Sequence, residues 1–210
     1  ARNDTTAAGY STLAAAISPA TSGQQIAATE AAWRTAASLD TAGRDLTLKS
    51  GADIRTPSTT ALVLGGSSTL MAPFGSVAEI FGPLSVTGNQ AATVSADSFR
   101  LGSRGNLRLF TNAQLSINVF SQVQFDGPVQ LDPGSRLSMT GAVVLNDDLT
   151  AQSPLVIESF GGLTNNAVCS LTNTTVNTSS FTNGASLSSQ GTSTFEGFYV
   201  NNAAATTNAS

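Results

Sequence analysis

Short bursts of alternating apolar residues recur along most of this chain and limit what it can fold into. Each burst is three to five residues long and places apolar side chains at positions i and i+2, as Leu107 and Leu109 do, followed by Leu115 and Ile117. The bursts follow one another at intervals of mostly six to eight residues. Such alternation predicts β-strands with one buried face. We therefore expect these side chains to point into one continuous core: Leu107, Leu109, Leu115, Ile117, Val123, Phe125, Val129 and Leu131.

Turn-forming residues separate the bursts, for example Gly65-Gly66, Gly127-Pro128 and Asn146-Asp147. Strands this short suit a coiled chain in which each coil contributes one strand to each face and inward residues stack in columns. Three faces of about seven residues give coils of roughly 20 to 24 residues, and about six or seven coils over residues 46–198. We predict an all-β fold, a parallel β-solenoid (β-helix) over residues 44–200, with a Greek-key β-sandwich as the alternative.

The two ends of the chain lack this rhythm. Residues 1–22 are small and polar, with isolated apolar anchors at Tyr10, Leu13 and Ile17. We expect them to form an extended arm that gains order by docking on a neighbouring subunit. Residues 201–210 are expected to form a C-terminal tail.

Residues 23–43 carry the pattern of a helix. Ser22 followed by Gln25 resembles a capping box, and alanine, the best helix former, is abundant up to residue 38. We predict that a helix over residues 23–38 caps the solenoid, with Ile26 and Trp33 facing the first coil.

The composition excludes several classes of function. Only 10% of the residues are charged, the net charge is −4 and there is no histidine. Nucleic-acid binding needs clustered lysine and arginine, so it is not expected, and Arg100, Arg104 and Arg108 are interpreted as outward-facing strand or turn residues. The sequence contains no phosphate-binding loop, dinucleotide fingerprint or metalloprotease motif. We therefore expect a protein that is not an enzyme and that needs no cofactor or metal.

Carboxylates are the remaining catalytic candidates, because many β-helix proteins cleave polysaccharides with acidic side chains. The candidates are Asp97, Asp126, Asp132, Asp147 and Asp148. Most of them stand beside turn-forming residues, where aspartate commonly bonds to its own backbone. We interpret them as turn residues.

Several features favour a secreted protein. The first residue is not methionine, which fits a mature form whose secretory signal has been removed, and no stretch is long and apolar enough for a membrane helix. Candidate glycosylation sites occur at Asn3, Asn173, Asn177 and Asn208. Cys169 is the only cysteine, so it is expected to be a buried small apolar residue, with an intermolecular bridge as the alternative.

The last part of the chain combines Asn, Thr and Ser with single large apolar residues. Asparagine side chains can stack in hydrogen-bonded ladders, and Asn and Gly tolerate left-handed corners. The segments S-F-T-N-G-A at 180–185 and T-F-E-G-F-Y-V-N-N-A at 194–203 resemble the F-x-x-N repeats of right-handed parallel β-helices, such as polymorphic outer-membrane proteins and large extracellular structural β-helix proteins. The resemblance implies a surface-exposed structural or adhesive protein.

Two functions from different classes are consistent with these features. The first is a non-catalytic structural subunit of an extracellular filament, appendage or surface layer, whose partners are copies of itself that meet through solenoid ends and terminal arms. The alternative is a carbohydrate-binding adhesin or a tailspike-like polysaccharide depolymerase, whose partner is a surface polysaccharide.

Overall fold

The computed structural model of this chain describes residues 1–28, 33–34, 38–48, 54–55, 61–152 and 155–202. These residues form one short helix and a succession of short strands wound into a parallel β-solenoid of about eight turns. In chain order the elements are β1 Arg2–Asn3, β2 Ala8–Gly9, α1 Leu13–Ile17, β3 Gln25–Ala28, β4 Trp33–Arg34, β5 Leu39–Asp40, β6 Asp45–Leu48, β7 Ile54–Arg55, β8 Leu62–Leu64, β9 Thr69–Met71, β10 Val77–Ile80, β11 Leu84–Val86, β12 Ala91–Ala96, β13 Ser98–Leu101, β14 Leu107–Leu109, β15 Gln114–Val119, β16 Gln122–Phe125, β17 Val129–Leu131, β18 Arg136–Met139, β19 Ala142–Leu145, β20 Leu149–Ala151, β21 Leu155–Ser159, β22 Leu163–Asn165, β23 Val168–Thr172, β24 Thr174–Asn183, β25 Ser186–Gln190 and β26 Thr194–Asn201.

Each coil contributes one strand to each of three faces. Face 1 contains β3, β6, β9, β12, β15, β18, β21 and the first halves of β24 and β26. Face 2 contains β4, β7, β10, β13, β16, β19, β22 and the second halves of β24 and β26. Face 3 contains β5, β8, β11, β14, β17, β20, β23 and β25. Neighbours within a face pair in parallel, which confirms the predicted solenoid over the alternative sandwich.

The register of these pairs explains the alternating pattern. Leu84 of one coil lies opposite Leu107 of the next, which lies opposite Val129 and then Leu149. Columns of this kind fill the interior of the solenoid, because side chains two residues apart point to the same side of a strand. All eight side chains predicted for the core are at most 1% exposed.

The corner between face 3 and face 1 turns through left-handed residues. Asn89 and Asn112 have φ angles of 59° and 58°, and Gly134 occupies the same corner with a φ of 74°. Asparagine and glycine are the residues that adopt this conformation at least cost. A Cβ at Gly134 would also collide with the Oδ1 of Asn112. The predicted left-handed corners are confirmed.

The coils become shorter toward the C-terminal end. Asn89 and Asn112, in the middle of the solenoid, are hydrogen-bonded across 23 residues, whereas Asn165 and Asn183 are bonded across 18. This shortening, together with coils that begin at residue 25, accounts for about eight turns instead of the expected six or seven.

A ladder of buried asparagines joins the last coils. The Nδ2 of Asn165 donates to the Oδ1 of Asn183 at 2.8 Å, and the Nδ2 of Asn183 donates to the Oδ1 of Asn201 at 3.0 Å. Both Asn165 and Asn183 are fully buried. The predicted asparagine ladder is therefore confirmed. Its repeat differs from F-x-x-N, because one residue and not two separates each Asn from the apolar residue before it, which is Leu163, Phe181 or Tyr199.

The prediction of an extended arm over residues 1–22 is wrong. β1 pairs antiparallel with both β2 and β3, and the short helix α1 packs its apolar side on the first coil. Leu13 is fully buried, Ile17 is 5% exposed and Tyr10 is packed against the same core. Thr12 caps α1 by accepting a hydrogen bond from the backbone N–H of Ala15 at 3.1 Å. The three anchors therefore pack within their own chain.

The prediction of a helix over residues 23–38 is also wrong where the chain is described. Gln25–Ala28 is strand β3, and Trp33–Arg34 is strand β4, with Trp33 opposite Ile54. Residues 29–32 and 35–37 of that segment lie outside the described residues, as do residues 203–210 of the predicted tail. Ile26 is fully buried opposite Leu46, so pairing with the next coil outweighs the helix propensity of the alanines.

Replacing Ile117 by Asp is expected to prevent folding, because an unpaired charge in the core costs about 4 kcal/mol or more. The matched control is Ser116→Asp on the outer side of the same strand, which should fold normally. Circular dichroism and thermal melting of both variants test this. Equal melting temperatures would contradict the assignment of Ile117 to the core.

Replacing Asn183 by Ala is expected to lower the free energy of unfolding by about 2 to 3 kcal/mol, because it leaves buried amide groups of the adjoining coils without a partner. Asn177 lies on the outer side of the same strand, so Asn177→Ala should change stability by less than about 0.5 kcal/mol. Urea denaturation of the two variants checks the difference. A ladder without energetic importance would give the same midpoint for both.

Candidate functional site

A row of polar side chains runs along the outside of the solenoid at face 2 and its following corner. The Nε of Arg100 donates to the Oδ2 of Asp126 at 2.8 Å, and its Nη1 donates to the Oε1 of Glu79 at 3.2 Å. The Oδ1 of Asp126 accepts hydrogen bonds from Gln124 at 2.7 Å and from Asn146 at 2.8 Å. We call these five residues the polar ladder. They hold adjacent coils together from outside.

The polar ladder fixes the charge of Asp126. Partial burial alone would raise the pKa of its carboxyl, but hydrogen bonds from Gln124, Asn146 and Arg100 outweigh it and lower the pKa below the ordinary 3.8. The same hydrogen bond raises the pKa of Arg100. A carboxylate held ionised in this way cannot act as the general acid that glycoside hydrolysis needs.

Asp132, Asp147 and Asp148 are also engaged in local contacts. The Oδ2 of Asp132 lies 3.4 Å from the Nη2 of Arg108, whose guanidinium stacks 4.5 Å from the centroid of the Phe110 ring. Asp147 and Asp148 accept hydrogen bonds from backbone N–H groups of Asp148 and Val168. The first bond agrees with the interpretation of Asp147 as a turn residue. The second joins Asp148 to a residue 20 positions further on, so Asp148 bonds to the next coil and not to its own turn.

The three arginines face outward, as the sequence predicts: Arg100 and Arg104 are exposed and Arg108 is half-buried. Cys169 lies in the core, 1% exposed, and burial raises the pKa of its thiol to about 12. This confirms a buried apolar role and argues against an intermolecular bridge, since a protonated, inaccessible thiol does not form disulfides readily.

The candidate glycosylation sites differ in environment. Asn3 is 2% exposed and uses its side chain to bond Gln24 and two backbone N–H groups. Asn173 and Asn177 are exposed, Asn173 at a left-handed corner and Asn177 on the outer side of β24. Asn208 lies outside the described residues. Glycosylation at Asn173 or Asn177 stays a prediction.

The two ends of the solenoid are different surfaces. At the N-terminal end, β1, β2 and α1 lie over the first coil. At the other end, β26 pairs only with β24, and β25 pairs only with β23, so far as the chain is described. Tyr199 stacks on the buried Phe181 ring with centroids 5.5 Å apart and is itself 40% exposed. The C-terminal end therefore presents strand edges and aromatic surface.

Four phenylalanines form an exposed row along the corner between face 1 and face 2. Phe74, Phe120, Phe160 and Phe198 are 85, 81, 66 and 70% exposed, respectively. The rings of Phe74 and Phe120 meet edge to face, with centroids 6.0 Å apart and planes at 69°. We call these four residues the aromatic corner. Each follows or precedes a glycine or serine.

The coils between the phenylalanines present small or short side chains at this corner, namely Asp97, Gly141 and Ser180. The N–H of Phe120 donates to the carbonyl of Asp97 in the preceding coil at 3.2 Å, and Ser180 lies in register with Phe198. At Gly141 an added Cβ would lie 2.9 Å from a backbone oxygen of the preceding coil. Aromatic rings thus occur at every second coil.

Sequence reasoning missed the aromatic corner because it treated phenylalanine as a core residue and looked for tryptophan and tyrosine on the surface. The available signal was that each of these phenylalanines lies next to Gly or Ser, and that Phe120 and Phe160 fall outside the i, i+2 apolar pairs. No group of three or more metal-binding side chains occurs among the described residues. The only helix in the described part of the chain is too short and not apolar enough to cross a membrane.

Comparison with protein-family models, with curated proteins and with solved structures gave no match for this chain. The class of protein is therefore defined by the fold, a parallel β-solenoid. The resemblance to proteins with F-x-x-N repeats has support at the level of the β-helix class alone.

The polar ladder leads to a prediction for the pH dependence of stability. At neutral pH, Asp126→Asn should be less stable than the parent by about 1 kcal/mol or less, because Arg100 is partly exposed and its pairing is screened. The pKa of Asp126 is lowered in the fold. The extra stability of the parent over Asp126→Asn is therefore fully present at pH values above the ordinary carboxyl pKa of 3.8, and it is lost as the pH falls through the lowered pKa.

Thermal melting of both proteins between pH 7 and pH 2 measures the difference. Glu196→Gln, an exposed acid on β26, serves as the matched control and should show no comparable pH-dependent difference. A difference for Asp126→Asn that stays constant through acid pH would contradict the role of the ionised carboxylate.

Proposed function

We propose that this chain is a non-catalytic structural subunit of an extracellular filament, appendage or surface layer. The observation that carries the proposal is the difference between its ends. The N-terminal end is covered by α1 and the β1–β2 pair, and the C-terminal end presents the free edges of β25 and β26 among the described residues. Contact between two different surfaces of identical copies is heterologous, and it generates an open filament when the rotation between copies does not close a ring, as when copies stack end to end along one axis.

The edge of β26 has the properties of a docking strand. It is eight residues long, and Phe198 and Tyr199 are exposed on it. A strand edge of this length readily accepts another strand by backbone hydrogen bonding. β2 is the outermost described strand at the other end, so the two edges can meet in head-to-tail contact. The low charge of the chain offers little electrostatic resistance to such stacking.

The acidic side chains support a non-catalytic role. Asp126 is held ionised by three hydrogen-bond donors, and Asp132 is paired with Arg108. The polysaccharide-depolymerase alternative requires one carboxyl that keeps its proton near the working pH, together with a second acid across the scissile bond. The environment of Asp126 favours the opposite protonation state.

A lysine placed on the terminal strand tests the proposal. Val200→Lys should reduce end-to-end assembly, because a lysine on an edge strand opposes the addition of another strand. Thr164→Lys is the matched control, since Thr164, Thr182 and Val200 occupy one outer column and Thr164 is two coils from the end.

Light scattering over a range of concentrations and negative-stain electron microscopy give the readout. The parent protein and Thr164→Lys should form elongated assemblies, and Val200→Lys should form shorter ones or none. A parent protein that forms no elongated assemblies at high concentration, or equal assembly by all three proteins, would contradict the proposal.

A further inference from the structure

We propose that the aromatic corner is a lateral interface between two copies of this chain that lie side by side and antiparallel. The inference rests on the proposed function in that the partner is a second copy, but it concerns the side of the solenoid and not its ends. Exposed apolar rows of this kind on a soluble domain mark interaction surfaces.

The spacing of the rings favours a second solenoid as the occupant. Coils repeat at about 4.8 Å, so the backbone positions that carry the rings recur at about 9.6 Å and the row from Phe74 to Phe198 spans about 29 Å. A copy of this chain has the same coil repeat and stays in step with the row along its whole length. A globular partner has no such period.

The gaps in the row select the relative orientation. Phe74 and Phe120 lean together across Asp97, so the open gaps are those at Gly141 and Ser180. In a parallel pair related by two-fold symmetry, each coil meets its own equivalent, and rings face rings. In an antiparallel pair with an odd coil offset, the rings of one copy fall over the gaps of the other.

The exposed area is close to what a stable pair needs. The summed exposed area of the four side chains equals that of about three fully exposed phenylalanines, or about 600 Å² at roughly 200 Å² each. A standard interface takes about 800 Å² from each partner. Val77, 48% exposed, and Ala142, also exposed, adjoin the row and extend its apolar surface.

A polysaccharide is the other occupant to consider, and the ring geometry disfavours it. Sugar rings stack on flat aromatic faces, whereas the planes of Phe74 and Phe120 stand at 69° to each other. Phenylalanine also lacks the polar group with which tyrosine and tryptophan contact hydroxyl groups. Edge-to-face rings are instead the arrangement found when apolar side chains from two protein surfaces interdigitate.

The first experiment removes two rings. The double variant Phe120→Ser, Phe160→Ser should weaken side-by-side pairing by about 30-fold or more, because aromatic residues at the centre of an interface carry most of its energy. Both side chains are exposed, so the variant should keep the melting temperature of the parent. Val168→Ser, which removes an exposed apolar side chain from face 3, is the matched control. Sedimentation velocity measures the pairing.

The second experiment maps the interface by disulfide cross-linking. Ala142→Cys and Ser98→Cys place single thiols in one outer column of face 2, and the buried Cys169 does not compete with them. In the two antiparallel offsets that fill both gaps and place Phe120 in one of them, Ala142 lies about one coil, about 4.8 Å, from its mate along the axis. Ser98 lies at least three coils, or about 14 Å, from its mate, beyond the reach of a disulfide.

Pairing is measured in the Val200→Lys background, in which end-to-end assembly is prevented. There the expected result is a monomer for the double variant, a dimer for Val168→Ser, and oxidative cross-linking of Ala142→Cys but not of Ser98→Cys. Cross-linking of both thiols would overturn the antiparallel arrangement. A monomeric parent whose phenylalanines are instead needed to bind hydroxyethyl cellulose or dextran would overturn the proposal in favour of a carbohydrate surface. Because Val200→Lys acts on the ends alone, loss of end-to-end assembly leaves cross-linking at Ala142 unchanged, and each proposal can fail without the other.

Discussion

The parallel hydrogen bonding between successive coils is the constraint on which the rest of this structure depends. Every coil must follow the backbone path of its neighbours, as Leu62, Leu84 and Leu107 do in register, because each strand satisfies its backbone groups only on the adjoining coils. Inward side chains at equivalent positions of successive coils then form apolar columns as a direct result of this register. Differences in coil length are confined to the corners, where left-handed residues absorb them.

The same constraint organises the outer surface. Side chains that occupy equivalent positions in successive coils lie about 4.8 Å apart, so polar residues there bond to one another along the axis. Asp126 thus receives Arg100 from one side and Asn146 from the other. Where this corner alternates between a large apolar residue and a small one, as at Phe120 and Gly141, the surface becomes a row of projecting rings.

The parts of the fold that local pattern specifies could be predicted from sequence. The core from Leu107 to Leu131 and the asparagine ladder depend on alternation and residue type within single coils. The N-terminal region could not be predicted, because Ile26 is buried by pairing with Leu46 of the next coil, which local helix propensity does not reflect. Arg100 and Asp126 are 26 residues apart in the sequence. The aromatic corner forms only if the coils are aligned so that the four phenylalanines fall at the same corner. Both depend on register.

The shortening of the coils gives the solenoid a taper. Between the middle coils, which repeat over 23 residues, and the last coils, which repeat over 18, the perimeter falls by roughly 15 Å at about 3.3 Å per residue. Two such wedges laid with their narrow ends pointing in opposite directions form a body of even width, because the broad part of one compensates for the slender part of the other. Two wedges pointing the same way would form a body that is broader at one end than at the other. Adding further subunits would then give a flat sheet in the antiparallel case and a curved one in the parallel case.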